Sequence, residues 1–284
     1  MNIDIDLKKL RINIQPHVMA GILSLNDESD MSFTKLDQLV RADQNMTALI
    51  LKAANSSLYS RGREVTTLQH ALGILGFQVV RSLAMVATSK ALFEAGNYSR
   101  FRRLVWEHSV VTAIVARHIS ERVNKKDFLE EAFIAGLLHD IGKVLLNIID
   151  RKKFIEVINM VTEKKIPFAD AETEVFGFNH LELGRMAGEE WKLPAIYHPV
   201  ISGHMNISGE PNGEEDHTLL HIVSYANFLA KKNGHGFYCD KDDADGETLE
   251  GLLEIDDKAK QYFTNNFERR ITNDDFYKFF MTVV

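Results

Sequence analysis

The chain has 284 residues, of which 45% are hydrophobic and 26% are charged, a composition typical of a globular protein rather than a disordered one. A net charge of −7 provides no general attraction to nucleic acids or anionic lipids, so we expect neither kind of partner. The single cysteine, Cys239, excludes an intrachain disulfide. The N-terminus lacks a signal-peptide pattern and no apolar run reaches the roughly 18 residues that span a bilayer, so we expect a cytoplasmic protein.

The first hundred residues carry helical patterns. From Phe33 onward, apolar residues recur at spacings of three and four, which predicts helix. Thr66 and Gln69 have the spacing of a capping box, so we predict a helix that begins after Thr66 and ends at Gly76. A further helix is predicted from Gln78 to about Phe93. No stretch alternates with the period of a strand, and the predicted fold class is therefore all-α, with an N-terminal helical bundle packed on a second helical bundle.

A break at residues 96–99 predicts a boundary between two subdomains. The expected division is 1–98 for the N-terminal helical subdomain, 99–232 for a second helical subdomain and 233–284 for an acidic loop with a C-terminal helical extension. Residues 206–216 and 233–248 are polar or rich in glycine and acids, and both are predicted to be loops. Helices are predicted at Trp106–Val123, Phe128–Ile149, Phe154–Lys164, Leu181–Trp191 and Leu219–Lys232.

A histidine and an aspartate, His139 and Asp140, stand side by side near the polar edge of a very apolar predicted helix. Adjacent helical residues point about 100° apart, so the two reach one ion only if it lies against the helix beside small residues. Gly136 and Gly142 would permit that approach. An imidazole with a carboxylate suits Mn, Fe, Zn or Mg. Taken alone, the pair is a weak signal and is more typical of a helix end where both side chains only form hydrogen bonds.

Further histidines on separate predicted helices strengthen the metal interpretation. They are His108 in a Trp-Glu-His-Ser step, His180, and His204. With these motifs the sequence resembles the HD superfamily, and most closely its HDOD branch. The segments that carry the likeness are Ala53–Tyr59, Val65–Gly76, the Trp106 to Ser109 step, Gly136–Lys143 and Gly188–Pro194, and the likeness spans roughly residues 10–232.

The resemblance implies roles for seven residues. The expected metal ligands are His108, His139, Asp140, Asn227, His180 and His204, and Lys143 would contact phosphate if the protein is an enzyme. Asn227 stands where the superfamily has an aspartate, and Met205 stands where relatives that bind two metals have a histidine. The first change removes a negative charge, and the second offers a poor ligand for hard ions.

These departures lead us to expect a stand-alone signal-transduction module that is not catalytic and that binds protein partners. The alternatives for its pocket are a retained divalent metal (Mn, Fe, Zn or Mg), a phosphorylated ligand such as a nucleotide, and no cofactor at all. The alternative function is a metal-dependent phosphohydrolase acting on a nucleotide or cyclic dinucleotide. We assign no role to His17, His70, His118 and His235, and we interpret His217 and His221 as surface or packing residues rather than a zinc pair.

Overall fold

A computed structural model describes residues 16–25, 29–56, 59–60, 64–94, 102–205, 217–239 and 241–283, together with residues 5, 7 and 10. Every regular element in these ranges is helical, which confirms the all-α prediction. The predicted boundary at residues 96–99 and the predicted loop at 206–216 lie outside the described residues.

The N-terminal part forms a bundle of short helices. Its helices are α1 (Pro16–Leu23), α2 (Asp30–Arg41), α3 (Gln44–Ala54), α4 (Leu68–Leu75) and α5 (Phe77–Glu94). The predicted cap at Thr66 is wrong by one residue, because Thr67 is extended and its hydroxyl accepts the backbone N–H of His70. Gly76 ends α4 with a φ of +77° as predicted, since glycine adopts this conformation without strain. The prediction of α5 is confirmed within one residue at each end.

The second part is built around three helices that pack against one another: α6 (His108–Arg122), α7 (Leu129–Leu138) and α13 (Thr218–Lys232). A π-helical turn, Arg102–Glu107, leads into α6. The elements are α6 (His108–Arg122), α7 (Leu129–Leu138), α8 (Ile141–Ile149), α9 (Arg151–Lys164), α10 (Phe168–Phe176), α11 (His180–Glu190), α12 (His198–Gly203) and α13 (Thr218–Lys232). Sequence reasoning placed no helix at α10, because Pro167 indicates a loop.

Four helices follow at the C-terminus: α14 (Lys241–Leu252), α15 (Asp257–Thr264), α16 (Phe267–Asn273) and α17 (Asp275–Val283). The prediction of a loop over 233–248 is wrong from residue 241 onward. Gly246 packs directly on the Phe228 ring of α13, where an added Cβ would overlap it. This packing outweighs the low helix propensity of the glycine and its acidic neighbours.

A buried arginine joins the N-terminal bundle to the second part. Arg81 of α5 is 1% exposed and donates hydrogen bonds to the Leu23 carbonyl at 3.3 Å, to the Tyr197 hydroxyl at 3.4 Å and to Glu131 of α7 at 3.4 Å. Burial raises the pKa of Tyr197 to about 12, so the tyrosine stays neutral. A buried charge requires such partners, and Arg81 therefore fixes how the two parts meet.

The apolar stretch Lys126–Ile149, which contains α7 and α8, has the length and composition of a membrane span, but 89% of its apolar window is buried inside the protein. The segments Leu68–Leu75 and Phe77–Lys90 reach the length and apolar character of a membrane span only when taken together, and the chain bends by 116° between them. The first stretch is the central core segment of the fold.

Helices α6 and α7 approach closely because Gly136 has no side chain. A Cβ there would lie 2.7 Å from Cα of Ala113, a backbone atom that moves only with its helix. We expect Gly136→Ala to lower the free energy of unfolding by about 1–3 kcal/mol, measured by urea denaturation. Gly73 of α4 has no neighbour within 4 Å of an added Cβ, and Gly73→Ala should stabilise the protein by up to about 1 kcal/mol. Equal effects of the two substitutions would contradict this account.

Candidate metal centre

The predicted helix over Phe128–Ile149 is broken at the His-Asp pair. Helix α7 ends at Leu138 and α8 begins at Ile141, and Asp140 lies between them with φ −100° and ψ 19°. The prediction of one continuous helix is therefore wrong. The break turns two adjacent side chains toward the same place, so that His139 Nε2 lies 3.4 Å from Asp140 Oδ2.

The sequence suggested that Gly136 and Gly142, the two glycines beside the pair, make room for an ion. The structure shows that they do not. A Cβ at Gly136 would contact the backbone of Ala113 on α6, and one at Gly142 would overlap the His180 carbonyl of α11. Protein backbone occupies both spaces. Each close approach instead delivers a ligand, because α6 begins with His108 and α11 begins with His180.

Four histidines surround the Asp140 carboxylate in two pairs. Oδ2 lies 3.6 Å from His108 Nε2 and 3.4 Å from His139 Nε2. Oδ1 lies 3.6 Å from His180 Nε2 and 3.4 Å from His204 Nε2. The structure thus brings together five of the six predicted ligands as two three-residue groups that share Asp140.

The other ring nitrogen of each histidine faces a hydrogen-bond acceptor. These bonds are His108 Nδ1 to the His235 carbonyl at 2.6 Å, His139 Nδ1 to the Gly136 carbonyl at 2.7 Å, His204 Nδ1 to the Val200 carbonyl at 3.0 Å and His180 Nδ1 to Glu172 at 2.5 Å. Because carbonyl and carboxylate oxygens accept, Nδ1 carries the proton in each ring. The four Nε2 lone pairs then face the carboxylate, the arrangement of metal-binding histidines.

The site is enclosed, and its electrostatics keep the ligands in protonation states that can bind a cation. All five side chains are at most 3% exposed. Burial raises the pKa of the Asp140 carboxyl, but the Lys143 ammonium paired with its Oδ2 counteracts burial, and that pKa lies well below the usual range. Burial lowers the pKa of His108 well below its usual value and that of His204 to about 3. Both rings are therefore neutral and able to bind a cation.

The other two predicted site residues, Lys143 and Asn227, are also buried. The Lys143 ammonium forms an ion pair with Asp140 Oδ2 at 2.7 Å, lies 4.4 Å from the centre of the Phe168 ring and lines a cavity of about 230 Å³. Asn227 is 5% exposed on α13. Its Oδ1 is buried and accepts no hydrogen bond from the described residues.

The HDOD domain family model matches residues 12–207. The chain belongs to the HDOD family. This confirms the resemblance inferred from the motifs. A crystal structure of an HDOD domain protein of unknown function from Geobacter sulfurreducens is 26% identical, with a TM-score of 0.76 over 95% of this chain and 91% of that one.

A second solved structure, a candidate phosphohydrolase from Shewanella amazonensis SB2B, is 19% identical, with a TM-score of 0.68 over 98% of this chain and 97% of that one. At that identity the likeness concerns the fold. An uncharacterized protein of Treponema pallidum (strain Nichols) is 21% identical over 224 residues, which are 78% of this chain and 43% of that protein. The HDOD chain thus spans less than half of the length of that curated relative.

Sequence reasoning missed two residues that hold the ligands of this HDOD site. Glu172 lies on the unpredicted helix α10, is fully buried, and binds both the backbone N–H of His180 at 2.8 Å and its Nδ1. His235, to which we assigned no role, accepts the hydrogen bond of His108 through its carbonyl. No sequence pattern indicates either residue. Glu172 contacts a histidine eight residues away on the next helix, and the His235 carbonyl contacts a histidine 127 residues away.

The donor set of the HDOD site fits a divalent transition metal. Asp140 Oδ1 and His180 Nε2 are buried with no hydrogen-bond partner among the described residues. The Nε2 atoms of His108 and His139 lie 3.2 Å apart, and two lone pairs so close repel one another unless a cation or a proton lies between them. Four imidazoles with one carboxylate suit Fe, Zn or Mn, whereas Mg prefers oxygen ligands.

The low pKa of His204 predicts a loss of stability in acid. Its pKa falls from 6.5 to about 3 in the folded state, so between these pH values the unfolded chain binds a proton that the folded chain does not. The contribution to stability is complete above about pH 6.5 and decreases as the pH falls toward 3. In chelator-treated protein, His204→Gln should make this decrease shallower, as measured by urea denaturation at pH 7.5 and pH 5.

The control for this prediction is His70→Gln, since His70 is exposed. It should leave the pH dependence of the free energy of unfolding unchanged. An identical pH dependence in wild type and His204→Gln would show that His204 does not remain neutral in the folded protein.

Proposed function

We propose that this HDOD protein is a metal-binding signal-transduction module that acts through protein partners, with a metal centre that serves stability or sensing rather than turnover. The observation that supports it best is the convergence of four Nε2 atoms on one buried carboxylate. Each of the four rings is also held by a hydrogen bond from Nδ1. So complete an arrangement of ligands is costly to bury without an ion.

Three features argue against turnover. Asp140 is the one carboxylate in the two ligand groups found among the described residues, and its Oδ2 already pairs with Lys143. Asn227 removes the second negative charge that relatives place there. All five converging side chains are at most 3% exposed, whereas metal-assisted hydrolysis requires an open coordination position that substrate reaches.

A specific observation supports the second candidate, a metal-dependent phosphohydrolase. The cavity of about 230 Å³ has Lys143 and Lys231 in its wall, together with the rings of Phe168 and Phe237. If Lys143 left Asp140, its ammonium would stand beside this cavity, where it could neutralise phosphate charge. A bound ion would supply Lewis acidity and lower the pKa of a coordinated water. The residues themselves would orient the phosphate and exclude water.

The first test is the metal content. We expect the purified protein to retain at least one Fe, Zn or Mn ion per chain by elemental analysis. Asp140→Asn keeps the shape of the side chain but removes its charge, and should weaken metal affinity by more than about 100-fold. His70→Ala replaces an exposed histidine and should leave the metal content unchanged. Folding of each variant is checked by circular dichroism.

The absence of a retained ion in wild type after loading with Zn²⁺, Mn²⁺ or Fe²⁺ would overturn the metal-binding proposal. Loss of the ion from both Asp140→Asn and His70→Ala would show that it binds elsewhere on the surface.

The second test separates the module from the enzyme. Asn227→Asp restores a carboxylate on α13, so we expect tighter binding of Zn²⁺ or Mn²⁺ by about 10-fold. We expect no hydrolysis of nucleotides or cyclic dinucleotides by wild type, measured by chromatography of the products. Turnover by wild type that is lost in Asp140→Asn would establish the phosphohydrolase instead.

A further inference from the structure

The turn after α13 passes directly over His108. Gly234 and Gly236 adopt φ values of +86° and +136°, conformations that side-chain-bearing residues rarely adopt. The turn places the His235 carbonyl 2.6 Å from His108 Nδ1. A Cβ on Gly236 would lie 2.8 Å from the same nitrogen. The backbone of residues 235–236 therefore fixes the orientation of the His108 ring.

The side chain of His235 is in turn held by two glutamates from different elements. Its Nδ1 lies 3.4 Å from Glu107, the residue before His108. Its Nε2 lies 2.8 Å from Glu268 of α16. The ring also packs against Phe267 at a centroid distance of 6.0 Å, and Tyr277 of α17 contacts Glu107 through its hydroxyl at 3.5 Å. We call Glu107, His235 and Glu268 the glutamate clamp.

His108 differs from the other histidines in how far away its support lies. His139 and His204 donate to carbonyls three and four residues earlier in their own helices, and His180 donates to Glu172, eight residues away. The carbonyl that holds His108 is 127 residues away. It lies beyond the HDOD match, which ends at residue 207. Among the described residues, only His108 of these four therefore has its Nδ1 held by the C-terminal part of the chain.

We propose that His235 is a positioning residue for the metal centre, and that the glutamate clamp couples the docking of the C-terminal helices α16 and α17 to metal binding through His108. The coupling is reciprocal by thermodynamic linkage, so metal binding would also stabilise the docked helices. A change at the C-terminal helices, such as contact with a partner protein, would thus alter the metal centre without touching its ligands. This inference rests on the proposed metal-binding function.

The central test is a comparison of two substitutions at Glu268, whose side chain is 67% exposed, so that its removal leaves no cavity in the core. Glu268→Ala removes the acceptor for His235 and should raise the dissociation constant for Zn²⁺ by about 10-fold, the lower end of the range for residues that orient ligands. Glu268→Gln keeps an acceptor oxygen and should restore affinity close to that of wild type. Affinity is measured by competition with a chelator of known strength.

The matched control is Glu189→Ala. Glu189 is also an exposed helical glutamate, and it pairs with Arg185 on α11 at 2.7 Å. Its loss should leave Zn²⁺ affinity unchanged. Equal affinities in wild type and Glu268→Ala would overturn the inference while leaving the metal-binding proposal intact. A wild type that binds no Zn²⁺ would remove the metal-binding proposal itself.

Two further readouts examine the clamp directly. In metal-free protein, the ¹⁵N chemical shift of His108 Nδ1 reports its hydrogen bond to residue 235, and it should change in Glu268→Ala but not in Glu189→Ala. An unchanged shift would overturn the positioning role whether or not Zn²⁺ binds. Hydrogen exchange over residues 267–273 should slow when Zn²⁺ is added to wild type, and this response should shrink in Glu268→Ala.

A backbone variant tests the same contact without the glutamates. Gly236→Ala places a methyl group 2.8 Å from His108 Nδ1 at a φ of +136°, so the turn must move. We expect weaker Zn²⁺ binding than in Glu268→Ala, together with the same change in the His108 Nδ1 shift. Wild-type Zn²⁺ affinity in a folded Gly236→Ala protein would contradict the inference.

Discussion

The burial of the Asp140 carboxylate imposes a condition that the surrounding helices satisfy. A carboxylate removed from water is unstable unless positive charge or hydrogen-bond donors surround it. Lys143, one turn later on α8, supplies that charge at 2.7 Å. The four histidines cannot supply it in the same way, because their protons lie on the opposite ring nitrogens. The four lone pairs and the carboxylate together create a region of negative electrostatic potential. One or two divalent cations bound there would neutralise it.

Close helix packing is what assembles this site. Gly136 lets α6 lie against α7 and Gly142 lets α11 lie against the start of α8, so His108 and His180 each reach the site from the first residue of a closely packed helix. Because of this packing, the ligand side chains have little freedom to rearrange around an ion. Rigidly placed ligands favour one defined coordination geometry. In the proposed module the same burial would keep substrate away from a bound ion, because all five ligand side chains are at most 3% exposed.

The sequence predicted the parts of this protein that rest on local chemistry. Helical periodicity indicated the all-α fold, the bounds of α5 and α13 to within one residue, and the end of α9. The resemblance to the HD superfamily implied the site, through the motifs that contain His108, His139, Asp140, His180 and His204. Features that depend on tertiary contact were missed. The break between α7 and α8 lies inside a continuous apolar pattern. Helix α14 depends on the packing of Gly246 against Phe228. Glu172 lies on α10, which was not predicted because Pro167 indicates a loop.

His235 shows why such contacts escape sequence reasoning. The group that orients His108 is a backbone carbonyl, which every residue possesses, so the identity of residue 235 carries no signal for it. Its side chain matters only because Glu107 and Glu268 hold it in place. The same geometry gives the C-terminal helices a means of acting on the metal centre. Helix α16 contributes an exposed glutamate, and small shifts of a docked helix alter hydrogen-bond distances of this kind more readily than they alter a packed core. A signal received at the protein surface would therefore reach the enclosed ligands through the clamp, without opening the pocket to solvent.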